Sequence, residues 1–77
     1  MTKAELIADP NSCLNRSADD EPVFLLCGRD KFAPEIIDEW AFRASLRGSP
    51  IEKTTTAARD AEAMRAWQEV HGSKIPD

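Results

Sequence analysis

The chain is short of what most chemical sites are built from. In 77 residues it has one histidine, two cysteines, three glycines and no tyrosine. Two cysteines, Cys13 and Cys27, do not make the disulfide framework of a small secreted fold. Nor do they make a zinc site, which needs about four ligands at close spacing, while His71 lies far along the chain. Three scattered glycines leave no phosphate-cradling loop, and no nucleophile elbow or metal-ligand helix is present. No apolar run approaches the ~20 residues of a membrane span. The opening MTKAELIADP lacks the cationic flank and apolar core of a secretory signal. Cations are outnumbered, 10 Lys plus Arg against 14 acids, for a net charge of −4. That balance argues against nucleic-acid backbones and anionic membranes as partners. The expectation is a single small domain over 1–77, cytoplasmic, with two reduced thiols and no cofactor or metal. A domain of this size is marginal without a partner or a staple.

What is present is mostly helix-forming sequence with clear punctuation. Residues 1–10 offer only Leu6 and Ile7 for burial, and they read, with 73–77, as loose ends. The strongest local signal is Gly48-Ser49-Pro50-Ile51-Glu52. Gly48 suits the positive φ just past a helix end. Ser49 and Glu52 have the spacing of a capping box, with Pro50 at the first helical position. The fold expectation is therefore mainly α: an antiparallel helical hairpin of about 33–47 and 50–71. Ala33, Ile36, Ile37, Trp40, Ala41 and Ala44 make the stripe of the first arm, and Ile51, Thr54, Ala57, Ala58, Ala61 and Met64 that of the second. Alanines allow close approach, with Ile36, Ile37 and Trp40 filling the groove.

Upstream, Asn11 or Ser12 can cap a short N-terminal helix over 13–18. An acidic turn, Asp19-Asp20-Glu21, then leads into Pro22-Val23-Phe24-Leu25-Leu26-Cys27. Consecutive apolar positions leave the state of 22–27 open between helix and strand. Val, Phe and the bounding turn residues favour one short extended segment. A strand there has no partner within the chain and would need a second copy.

Packing the two stripes leaves Phe42 and Leu46 over on the first arm and Trp67 and Val70 over on the second. These four are the candidate partner or oligomer interface, with Trp67 as its anchor. The upstream segment and Leu14 are the alternative cover. No catalytic set emerges. Asp19, Asp20 and Glu21 are adjacent in a turn and cannot act as an acid and base across a cleft. With Arg29 they are candidate polar contacts only. His71 near a helix end suits the dipole.

The stretches Cys13-Leu14, Ala18-Asp19-Asp20-Glu21-Pro22-Val23-Phe24-Leu25-Leu26, Arg29-Asp30, Ala33-Pro34, Trp40-Ala41, Ala63-Met64, Trp67 and Lys74-Ile75-Pro76-Asp77 resemble a group of short uncharacterised proteins of tailed phages and prophages of Proteobacteria. The resemblance covers the chain from about residue 12 and carries no active site. It implies a mobile-element setting and action by binding, with a host or defence protein inhibited or redirected. The functional expectation is thus a non-enzymatic accessory protein that binds a host or phage protein and forms a homo-oligomer. Two alternatives stand beside it. One is a dimeric ribbon–helix–helix-like DNA-binding regulator, for which Val23-Phe24-Leu25-Leu26 offers no polar base reader. The other is an oligomer that binds a small ligand such as a nucleotide.

Overall fold

The structure is a computed structural model and describes residues 1–76; Asp77, the end of the expected tail, lies outside the described residues. The chain is mainly α, with helices α1 (Lys3–Ala8), α2 (Cys13–Arg16), α3 (Ala33–Leu46) and α4 (Ile51–His71). They form three bodies. Helices α1 and α2 make one N-terminal unit, while α3 and α4 pack closely on each other.

Each helix has identifiable ends. Thr2 caps α1, its hydroxyl accepting from the Glu5 amide. Ser12 caps α2 in the same way, accepting from Asn15 N at 3.3 Å. Asn15 then joins the two, its side-chain amide donating to the carbonyls of Leu6, Ile7 and Asp9. Those carbonyls lie at the end of α1 and need a donor from outside it. Asp30 prepares α3: its carboxylate accepts from Phe32 N at 2.8 Å and its carbonyl from Ala33 N at 3.2 Å. Pro34 occupies the first turn, where no amide is needed.

Between α3 and α4 the chain closes a Schellman motif. Gly48 has φ +88°. Its amide donates to Ser45 O at 3.2 Å, and the Ser49 amide donates to Ala44 O at 3.0 Å. Pro50 is the residue before α4, with no side-chain cap bond. Alanines sit at the closest approach of the two helices: Ala33, Ala41 and Ala61 are buried, with Pro34 beside them. Asp38 on α3 pairs with Arg65 on α4. Beyond α4, Gly72 turns the chain at φ +87°. Lys74 N then donates to Arg29 O and Lys74 O accepts from Lys31 N, an isolated parallel bridge.

The structure corrects the expected hairpin with one short N-terminal helix and one extended segment. Two short helices, not one, stand at the N-terminus. Residues 22–27 form no strand and no helix. Among the described residues no segment pairs its backbone with 22–27, and Pro22 lacks an amide donor. The result is three helical bodies instead of a simple two-helix hairpin. Ile36 and Trp40 do not fill the groove but stand about half exposed, because alanines on both helices already bring the backbones together. The capping box is absent as well. The Ser49 amide is engaged in ending α3, so α4 begins one residue later than Pro50, at Ile51.

Candidate functional site

The expected interface residues are all exposed: Phe42 and Leu46 on α3, Trp67 and Val70 on α4. Helical spacing assigns them to different rows. Phe42 and Leu46 follow Asp38 at i+4 and i+8, so they continue the row that carries the Asp38–Arg65 ion pair. Trp67 follows Asp60 at i+7 and continues another row. Asp60 lines a cavity of about 410 Å³ together with Trp40, Ala57 and residues of the N-terminal unit. The four expected residues thus stand on two helices, Phe42 and Leu46 on α3 and Trp67 and Val70 on α4. Trp67 stacks on His71, ring centroids 4.2 Å apart. His71 Nδ1 also lies 3.1 Å from Trp67 O, so histidine and tryptophan support one another on the last turn of α4.

The polar candidates are equally dispersed. The Asp19–Glu21 turn is closed locally, with Ala18 N donating to the Glu21 carboxylate at 3.2 Å and Glu21 N to Ala18 O at 3.0 Å. Arg29 borders a separate shallow cavity of about 200 Å³ with Leu25, Cys27, Asp30, Lys74 and Pro76. Cys13 is exposed and Cys27 half-buried, and neither is in a disulfide. Among the described residues no three His, Cys, Asp or Glu side chains are grouped to hold a metal ion. Among the described residues no helix is long and apolar enough to cross a membrane.

Two polar ties carry more structural weight than the sequence suggested. Gln68 donates from Nε2 to Gly28 O at 2.8 Å and to Asp30 O at 2.9 Å, fastening the loop before α3 to α4. Arg65 reaches both Asp38 and Glu62. Hydrogen bonds to those carboxylates raise its pKa further above the ordinary guanidinium range, Asp38 first. Being charged at every working pH, it acts as a fixed cation there. Neither tie shows in hydrophobic periodicity; Arg65 stands i+3 from Glu62, which is its one local signal.

The dominant feature is apolar exposure. Among the described residues no large side chain is fully buried, while Phe24 is 87% exposed and Val23, Leu25 and Ile51 also face outward. Sequence patterning expected uncovered apolar residues at Phe42, Leu46, Trp67 and Val70, but placed Ile36 and Trp40 in the groove, where the structure leaves them half exposed. Compared with known protein families, curated proteins and solved structures, the chain matches none.

Proposed function

We propose that this chain acts without catalysis, by binding another protein through apolar side chains that the single chain leaves uncovered. One observation carries the reading: among the described residues not one large side chain is fully buried, while Phe42, Leu46, Trp67 and Val70 are all exposed. Apolar surface of that extent marks an interaction site more often than idle surface. Trp67, braced by His71, is the kind of rigid aromatic anchor around which interface energy concentrates. The resemblance to short phage and prophage proteins suggests a host or phage protein as partner, met in the cytoplasm of the host cell and inhibited or redirected by the contact.

The test is capture from host lysate on immobilised chain, followed by reconstitution with the purified candidate. The expected result is one dominant protein that binds at fixed stoichiometry and loses at least tenfold in affinity to Leu46→Glu or Trp67→Glu. A folded chain that captures nothing saturable, or a partner indifferent to both variants, overturns the reading.

A further inference from the structure

The N-terminal unit is held more firmly to itself than to the rest of the chain. Within it, Asn15 donates to three carbonyls, Ser12 N to Asp9 O, and Asn11 N to the Asp9 carboxylate. Its seat on the helical pair is different. Among the described residues no Cα of α1 or α2 lies within 8 Å of a Cα in α3 or α4, although α3 and α4 meet closely. Helices packed on each other run about 8–10 Å apart, axis to axis. The seam is instead the cavity of about 410 Å³, with Leu6, Ser12 and Cys13 on one side and Trp40, Thr56 and Ala57 on the other. Walls that face a gap forgo the dispersion contacts of close packing. In this unit only Ser12, the cap of α2, is buried.

A polar tie crosses the seam: the Met1 ammonium pairs with Asp60 on α4, both ends partly open to water. Such a pair is weak and is screened by salt. The covalent connection is loose as well. Among the described residues none bonds its backbone to residues 22–26, and Val23, Phe24 and Leu25 are mostly exposed. Five extended residues span about 17 Å, enough for the unit to lift away. The free stretch ends where Gln68 holds Gly28 and Asp30, and the Asp38–Arg65 pair joins α3 to α4 independently.

We propose that residues 1–16 are a strap that opens and closes over Trp40 while α3 and α4 stay packed, with Met1–Asp60 as its latch. Closed, the strap faces Trp40 across the cavity. Open, it leaves the row Phe32, Ile36 and Trp40, spaced i, i+4 and i+8 on α3, clear from end to end. Whatever binds this side of Trp40 competes with the strap, and its affinity is lowered in proportion to the share of open chains. The strap does not rest on the partner reading, which is tested at Leu46 and Trp67.

Trp67→Phe with Cys27→Ser leaves Trp40 and Cys13 as the sole indole and thiol. A nitroxide attached to Cys13 quenches Trp40 on contact, and lid motions are slower than indole emission. Two lifetimes are expected, a shortened one from closed chains and one equal to that of the unlabelled protein from open chains. Asp60→Asn, and salt raised to about 0.5 M, should each at least double the long-lived share. On the unmodified chain, amide exchange should be faster in residues 3–16 than in α3 and α4, and salt should speed it in 3–16 alone. A single shortened lifetime indifferent to Asp60→Asn and to salt overturns the proposal, since the unit is then a fixed part of the fold. An unquenched lifetime alone in every condition overturns it too, because the strap then never closes. So does equal protection of all four helices in the unmodified chain.

Discussion

At the scale of single residues, the link between α3 and α4 shows which side of a motif does the stabilising. Gly48 stands at φ +88°, and a Cβ placed there meets nothing within 4 Å. The cost of replacing it is thus backbone strain without a clash. Gly48→Val should lower stability by about 1–3 kcal/mol, measured by chemical denaturation. Ser49→Ala should change it by less than about 0.5 kcal/mol, because the Ser49 amide, not its hydroxyl, ends α3. The glycine was legible in the sequence; the serine was not. Gly-Ser-Pro-x-Glu satisfies the spacing of a capping box, but the same serine amide is wanted by Ala44 O, and the helix end claims it first. The cysteines add a second check at this scale. Cys13 is exposed and Cys27 half-buried, so a maleimide should label Cys13 several-fold faster under native conditions.

At the scale of elements, polar side chains hold together what apolar packing does not. The α1–α2 unit buries no apolar side chain fully, and Asn15 satisfies the end of α1. Asn15→Ala should strip hydrogen-exchange protection from residues 6–9 while α3 and α4 keep theirs. Gln68 is the counterpart at the other end. Its two half-buried bonds tie residues 28–30 to α4, and removing them should destabilise the loop by about 1–3 kcal/mol. These ties explain what could be read from sequence at this level. Proline and glycine announced the two long helices within a few residues, since they act locally. Helix α1 escaped notice because it has almost nothing to bury, and its support comes from a cap and from an asparagine nine residues beyond Leu6. Residues 22–27 misled for the opposite reason: strong apolar content suggested a strand, yet no described segment pairs its backbone with it.

At the scale of the whole molecule, the balance of forces is unusual for a folded chain. The buried residues among its apolar set are alanines, and the Asp38–Arg65 pair is solvent-exposed, so water screens most of its attraction. The exposed interface candidates were legible as leftovers of helical periodicity. That Ile36 and Trp40 join them was not, since a stripe does not reveal how near a small-residue contact brings two helices. Both tryptophans report on this balance: Trp40 is 52% and Trp67 44% exposed in the single chain. Dilute chain should therefore emit as solvent-exposed indole. If Trp40 lies in a self-made interface, raising the concentration should move the emission to the blue, and Trp40→Phe should abolish the move. Trp67→Phe should keep it, because Trp67 stands on α4, stacked on His71, away from the α3 row that carries Trp40. A spectrum fixed from one to a hundred micromolar would mean that Trp40 stays wet in solution, and the apolar ridge on α3 would then be uncovered at every concentration tested.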